Sequence, residues 1–571
     1  MKQLSYAEAM ELSHFGARVI YTPTIQPVYQ KKIKVYIKNA FKPDAKGTLI
    51  TDNPGSVECP IKGVSSIDHI DLITISGPGM VGVKGISGRL FSNTARHDVN
   101  IILITQASSE YSISFAIDPS DTKKAVTAIE EEFRGEISQK NEIRINVEEE
   151  LSIVAIVGEG MKQTPGISAN LFRSLGRNGI NVIGIAQGSS ELNISVVIKN
   201  KSLKKALNVI HEGFFLSRFK EIHLFLVGTG IVGGALIKQI RQQQQELMKN
   251  QKLKLNVIGI AEIKKMIIDT NGIELDNWAE RLKKEGEKVN LSKLVDNIIE
   301  LNLRNGIFVD CTASKEVSDC YYKLLNSFVS VVAANKIACS SELELYKRLK
   351  KTALDRNVKF MYETNVGAGL PIINTINNLM NSGDKILKIE AVLSGTLNFI
   401  FNELSEKVTM SKAIAMAKEK GFSEPDPRID LSGIDVVRKI LILSREAGYQ
   451  IEQKDIEVKT FLPTECFEGS LDDFWRKVKK YDNLFEEKRK ELEKSGRKWR
   501  FVASLDGGKA SVALKEVDSS HPSFSLVGSN NIILLTTTRY KEQPMVIRGY
   551  GAGADVTAAG VFGDIMQVAH V

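Results

Sequence analysis

Gly228-Thr-Gly230-Ile-Val-Gly233 stands where an apolar run, Ile222-His-Leu-Phe-Leu-Val227, gives way to a helical stretch from Ala235 to Lys249. Taken alone, that spacing is only a tight turn from strand to helix. In this context the glycines divide the work. Gly228 permits the turn, Gly230 lets the backbone approach a pyrophosphate, and Gly233 lets the helix pack on the strand. The main-chain N–H groups of the helix start, with Thr229, Ile231 and Val232 around them, supply donors to the anion. A second strand ends in Ala261-Glu262, and an acid there hydrogen-bonds an adenosine ribose. Glu262 comes 34 residues after Gly228, and the Arg241–Lys252 stretch absorbs what exceeds the usual ~20. Lys264 and Lys265 follow at once and suit a 2′-phosphate instead, so NAD and NADP both stay open.

Two further strand ends open on the same crevice, because parallel strands place their carboxyl ends together. They are Asp310-Cys-Thr312-Ala-Ser314 and Ala333-Ala-Asn335-Lys336. Thr312 and Ser314 either contact the nicotinamide ribose or cap the next helix. Lys336, beside Val-Val-Ala-Ala, needs solvent or a partner. In Tyr362-Glu-Thr-Asn-Val-Gly-Ala-Gly-Leu-Pro371, two glycines and a proline keep the backbone irregular, which frees carbonyls for a hard cation or simply makes a loop. The densest stretch is Gly421-Phe-Ser-Glu424-Pro-Asp426-Pro-Arg-Ile-Asp430-Leu-Ser-Gly-Ile-Asp435-Val-Val-Arg-Lys439. Its prolines hold Glu424 and Asp426 out of helix, while Asp435 and Lys439 share one face of a helix opening near Ser432. A surface ion pair is the plain reading of that pair. Against it stands the crowd of carboxylates beside one lysine: carboxylates hold an ammonium, and a lysine of tuned pKa trades a proton with a hydroxyl or carbonyl.

The elements that must carry these groups show two textures. From Glu221 onward, strands at Leu253–Ala261, Ile307–Asp310 and Val329–Ala333 alternate with helices, the pattern of a parallel nucleotide-binding sheet, and from about Ile386 the pattern becomes mixed α/β. Leu471–Arg500 reads as a solvated amphipathic helix pair. Before Glu221 the chain repeats itself: Ile86-Ser-Gly-Arg-Leu-Phe through Gln106 returns as Ile167-Ser-Ala-Asn-Leu-Phe through Gln187, offset by 81 residues. Each copy reads as βαββαβ, a ferredoxin-like α/β sandwich, and the two are expected to form a pseudo-symmetric pair presenting Gln106 and Gln187 to two similar clefts.

Composition narrows the classes further. The 571 residues carry a net charge of +8 with 25% charged residues of both signs interspersed, an ordinary mildly basic surface that implies neither nucleic acid nor membrane as partner. Cys59, Cys311, Cys320, Cys339 and Cys466 lie far apart, as reduced thiols in a cytoplasmic protein do, and the seven histidines form no pair at metal-ligand spacing.

Residues 221–571 resemble homoserine dehydrogenase, and the whole chain resembles the C-terminal part of the bifunctional aspartokinase/homoserine dehydrogenases. The run Ala417-x-x-x-Gly421 through Lys439 matches the family signature without a break, as do Tyr362–Pro371, Leu393-Ser-Gly-Thr-Leu-Asn398 and Gly549-Tyr-Gly-Ala-Gly553. The resemblance implies NAD(P)-dependent interconversion of L-aspartate 4-semialdehyde and L-homoserine in threonine and methionine biosynthesis. It implies Lys336 and Lys439 as catalytic lysines, Lys336 also touching the cofactor, and Glu424, Asp430 and Asp435 on the substrate. Thr312, Ser314, Gly421 and Gly553 would meet the dinucleotide, and the carbonyls of Glu363, Val366, Ala368 and Leu370 would hold sodium. Ile429 stands where many relatives have an acid.

The repeats resemble paired ACT domains, amino-acid sensors in which Gln106 and Gln187 match glutamines that bind threonine as effector. Residues 1–55, with Glu11-Leu-Ser-His-Phe-Gly-Ala-Arg-Val, resemble the end of an aspartokinase domain; the kinase's Lys-Phe-Gly-Gly-Thr segment is not in the sequence, and aspartate phosphorylation is not expected. The expected organisation is α/β and α+β multidomain. It comprises a kinase-lobe remnant (1–60), two ACT domains (61–148 and 149–219), a Rossmann-type domain (220–365, completed by 546–571), and a mixed α/β catalytic and dimerisation domain (366–545). A homodimer or homotetramer is expected. The rival reading is an amino-acid sensor carrying a vestigial dehydrogenase.

Overall fold

The computed structural model describes residues 3–16, 20–42, 44, 46–52, 60–106, 108–138, 142–215 and 220–570. Cys59, Ala107 and the Ala17–Val19 end of the kinase-like motif lie outside the described residues. The chain divides into two compact units, Met1–Lys220 and Glu221–Val571.

In the first unit the repeat seen in sequence is a repeat in space. Strands Gly63–Ser76 and Arg144–Val157, and helices Ile86–Arg96 and Ile167–Arg177, recur at the same offset. All belong to one six-stranded sheet and its cover, the strands in the order Ile101–Gln106, Ser112–Ile117, Gly63–Ser76, Arg144–Val157, Asn193–Lys199, Gly184–Ala186. The two 14-residue central strands pair antiparallel from Gly63 opposite Val157 to Ser76 opposite Arg144, with the register interrupted around Ile70. The strand order departs from two consecutive βαββαβ copies at one place. The last strand of the second copy does not follow that copy's second helix, Leu203–Phe215; the half-strand Gly63–Ile67, which precedes the first copy, fills its place. Each copy buries its own helix pair, with Leu90, Ala125 and Ile129 on Ile73, Ile75 and Phe115 in one, and Leu171, Leu175 and Ile210 on Ile156 and Val196 in the other. The other sheet face packs on helix Tyr6–His14, opened by a capping box in which Ser5 and Glu8 bond reciprocally. The sheet curls until its outer strands meet, Thr105 Oγ1 donating to Ile185 O at 2.8 Å.

The second unit starts from a seven-stranded sheet in the order Glu287–Lys288, Lys265–Ile268, Leu253–Ala261, Lys220–Val227, Gly306–Asp310, Ser330–Ala333, Phe360–Met361. The last four are parallel, and their inner residues are almost wholly buried, as the uninterrupted apolar runs require. Lys265–Ile268 and Glu287–Lys288 add an antiparallel edge. A second sheet, six-stranded, runs Glu457–Lys459, Lys509–Val517, Lys498–Asp506, Ile386–Val392, Asn530–Thr537, Met545–Tyr550. Met545–Tyr550, assigned from sequence to the nucleotide-binding half, pairs here with Asn530–Leu535. The helix after it, Ala554–Ala569, does return to the first sheet, where Ala558, Val561 and Ile565 pack with Leu236, Ile237 and Ile240. Leu471–Lys480 and Asp482–Lys494 form the helix pair, burying Phe474, Val478, Phe485 and Leu492.

Candidate active site

The three glycines differ as their surroundings dictate. Gly228 has φ +92°, and a Cβ there would lie 2.8 Å from Thr312 Cγ2 and 2.9 Å from the Cys311 carbonyl. A Cβ on Gly233 would lie 1.9 Å from Gly228 O, so helix and strand touch through bare backbone. At Gly230 nothing lies within 4 Å of that position, and the space is open to a ligand. Gly230 begins helix Ile231–Gln251 with no side-chain cap, which leaves the first-turn N–H groups of Ile231, Val232 and Gly233 pointing out as an anion site. Thr229 lies beside them, half-buried.

Ala261 O accepts the Gly228 N–H at 2.9 Å, which sets Glu262, exposed, next to this turn. The long gap before Glu262 is taken up by the 21-residue helix. Lys265 is engaged with Lys283 O, and Lys264 is exposed. Gly553, φ +130°, opens helix Ala554–Ala569, which is tied to the glycine-loop helix by Gln239 Nε2 donating to Asp555 O at 2.9 Å. Ser314 adopts the capping role, its Oγ accepting Val317 N–H at 3.3 Å, and Thr312 Oγ1 accepts Ser314 N–H at 3.1 Å. Gly421, φ +71°, is exposed.

The chemistry converges on helix Ile434–Glu446. Asp435 Oδ2 accepts from Lys439 Nζ and its Oδ1 from Lys336 Nζ, both at 2.9 Å, so one carboxylate bridges two ammoniums from separate segments of the chain. Lys439 also donates to Leu393 O at 2.7 Å and is only 6% exposed, which rules out the surface ion pair. Burial pushes the Lys439 ammonium below its ordinary value, opposed by Asp435. Desolvation works against the Asp435 charge, yet the ammoniums of Lys439 and Lys336 hold its carboxyl far below the usual range. The cluster therefore sets an ammonium that burial makes easier to deprotonate beside a carboxylate that stays charged.

Asp430 organises the loop before this helix, its Oδ2 accepting Glu424 N–H at 2.8 Å and Ser423 Oγ at 3.0 Å. Glu424 itself is exposed above it.

Glu363 spends its carboxylate on helix Ile373–Asn381, accepting the N–H groups of Ile372, Ile373 and Asn374 at 2.5, 2.6 and 2.8 Å. Its own N–H donates at 2.9 Å to Asp564, whose carboxyl is pushed up to about 7, chiefly by burial. The segment turns at Ala368, φ +54°, and Leu370 O accepts Ile372 N–H at 2.9 Å. Sequence reasoning missed Asp564 and also Glu446, buried under Tyr362 and Lys350 at 2.5 and 2.9 Å. Only their places on apolar helix faces signalled them.

In the first unit, Gln106 and Gln187 line one cleft of about 430 Å³ with Phe15, Thr105, Asn193 and Ser195, at the seam where the outer strands meet. Gln106 and Gln187 thus share this cleft, and Gln187 also borders a second cavity of about 310 Å³ beside Thr164, Ser168 and Glu191.

A glycine-turn nucleotide sheet facing a lysine–aspartate–lysine bridge with one buried ammonium is the build of a dinucleotide-dependent dehydrogenase. The family models that match are homoserine dehydrogenase over residues 371–566, its NAD-binding domain over 228–363, and ACT domains over 73–133 and 154–214. The bifunctional aspartokinase/homoserine dehydrogenase of Haemophilus influenzae is 40% identical over 99% of this chain, which spans 69% of that protein. The chloroplastic bifunctional aspartokinase/homoserine dehydrogenase 1 of Arabidopsis thaliana is also 40% identical, the chain covering 63% of its length. Among solved structures, a Candida auris protein of unknown function matches 62% of the chain at 32% identity, TM-score 0.57, with 99% of that protein covered. The chain belongs to the bifunctional aspartokinase/homoserine dehydrogenase family, and carries its paired ACT, NAD-binding and homoserine dehydrogenase domains. Among the described residues no helix is long and apolar enough to cross a membrane.

Proposed function

We propose that this chain reduces L-aspartate 4-semialdehyde to L-homoserine with NAD(P)H, and runs the reverse reaction with NAD(P)⁺. The observation that carries this reading is the Asp435 bridge between Lys336 and Lys439. The nicotinamide, when bound, supplies the hydride that the aldehyde carbon accepts. Lys439 donates the proton to the carbonyl oxygen as its charge grows, and Lys336 adds a second positive charge beside it. Asp435 keeps both ammoniums turned toward one point, and Glu424 and Asp430 offer carboxylates to the substrate ammonium. Glu262 or Lys264 selects the nucleotide: the first favours a ribose hydroxyl, the second a 2′-phosphate.

Sodium is assigned to the carbonyls of Glu363, Val366, Ala368 and Leu370. The backbone expected to be irregular is instead the short helical turn Thr364–Gly367 with a bend at Ala368; its neutral main-chain oxygens fit a hard cation, and the ion would brace that turn without entering the reaction. Threonine is the proposed effector at Gln106 and Gln187, because an amide supplies both donor and acceptor to a hydroxylated zwitterion. A vestigial dehydrogenase would have no reason to keep the buried Lys439 ammonium, since a buried charge is costly. The test is incubation with L-homoserine and either oxidised nucleotide: reduced nicotinamide absorbance should rise, and a flat trace with both nucleotides overturns the proposal.

A further inference from the structure

Asp310, at the carboxyl end of strand Gly306–Asp310, is completely buried, and nothing in the proposed proton transfer uses it. Its carboxylate collects three neutral donors. Oδ1 accepts Thr312 N–H at 2.7 Å, and Oδ2 accepts Tyr321 OH at 2.6 Å and Asn335 Nδ2 at 3.0 Å. Asn335 is 2% exposed and fully committed in turn: Nδ2 also donates to Ser314 O at 2.8 Å, and Oδ1 accepts Ile337 N–H at 3.1 Å. The residue between those anchored points is Lys336.

We propose that Asp310 is a positioning residue that, through Asn335, sets where Lys336 presents its ammonium to Asp435. The inference rests on the dehydrogenase reading above and adds to it a residue that touches neither substrate nor nucleotide. A buried charge held only by neutral donors is expensive, so its retention calls for something a neutral isostere cannot supply. Donor and acceptor geometry identifies what that is. An asparagine here has one acceptor oxygen. Turned toward Thr312 N–H, it keeps the Cys311–Ser314 turn that stands against Gly228, but sets its NH2 against the NH2 of Asn335, donor facing donor. Tyr321 OH can accommodate either arrangement, because a hydroxyl also accepts. The link that fails is therefore the one to Asn335, and the group set loose is the segment carrying Lys336.

The experiment measures kcat, the KM for homoserine and nucleotide affinity in Asp310→Asn and Asn335→Ala. A misplaced reacting group of about 1 Å lowers turnover by up to ~100-fold, so kcat in Asp310→Asn should fall at least about tenfold. Homoserine KM and nucleotide affinity should stay within about threefold. Asn335→Ala keeps the Asp310 charge satisfied by Thr312 and Tyr321 and should show the same loss of kcat, so the proposal stays testable if Asp310→Asn does not fold. Turnover near wild type in Asp310→Asn or in Asn335→Ala overturns the proposal. So does a loss in Asp310→Asn matched by lost nucleotide binding. If wild type itself does not oxidise homoserine, it is the dehydrogenase reading that has failed.

Discussion

Replacing Lys439 by methionine keeps a similar side-chain volume in its buried place while removing the proton and the charge. The ammonium makes two short charge-assisted bonds, to Asp435 at 2.9 Å and to Leu393 O at 2.7 Å. Asp435 keeps its bond to Lys336, so the helix retains that cross-link to the nucleotide sheet. The loss should therefore fall on chemistry. A positioned general acid is worth about 10²–10⁴ in rate, or about 3–5 kcal/mol at 1.36 kcal/mol per decade. kcat for semialdehyde reduction should drop by that factor, with nucleotide affinity unchanged, because the Gly228–Gly233 turn lies on another element. The pH profile gives a second handle. Burial lowers the Lys439 pKa below 10.5, and reduction needs the protonated form, so wild-type reduction should decline through an inflection below 10.5 while homoserine oxidation rises through it. The assay is stopped-flow nicotinamide absorbance in both directions across pH. Turnover within tenfold of wild type, or an unchanged inflection in Lys439→Met, would refute the assignment.

Three further outcomes follow from the same geometry. Gly230→Ala should fold with stability within about 0.5 kcal/mol of wild type, since nothing lies within 4 Å of the new Cβ, yet lose nucleotide affinity in a fluorescence titration; Gly233→Ala, which would strike Gly228 O, should lose stability in a thermal melt. Asp435→Asn should remove stability that wild type has fully above pH 3.8 and loses as pH falls toward the lowered folded value, because the native carboxyl binds protons less readily than the unfolded one; denaturant midpoints against pH read it, and identical acid limbs would contradict it. Calorimetry with threonine should show weakened binding in Gln106→Ala combined with Gln187→Ala, and unchanged affinity would place the effector elsewhere.

What could be seen in the sequence was whatever a local pattern encodes. The 81-residue repeat, the glycine turn and the Asp435–Lys439 spacing each lie within one or two elements, and each has its expected geometry. What the sequence hid depends on pairing between distant segments. Nothing local says that Gly63–Ile67 completes the second ferredoxin-like copy, that Met545–Tyr550 joins the second sheet, or that the curl of the first sheet gathers Gln106 and Gln187 at one seam. Side-chain roles set by burial were hidden for the same reason. Glu363 reads as part of a cation loop, yet its carboxylate caps a helix nine residues on, and the residues around Lys336 say only that it needs solvent or a partner, which turns out to be Asp435.

The central claim is that hydride passes between homoserine and a nicotinamide held in this crevice, with Lys439 and Lys336 at the oxygen. Homoserine deuterated at its hydroxymethyl carbon tests it most directly, by mass spectrometry of the nucleotide recovered after incubation with the purified chain. One deuterium in the reduced nicotinamide, dependent on active protein and diminished in Lys439→Met, is the expected result. Reduced nucleotide without the label, or no reduced nucleotide at all, would contradict the account.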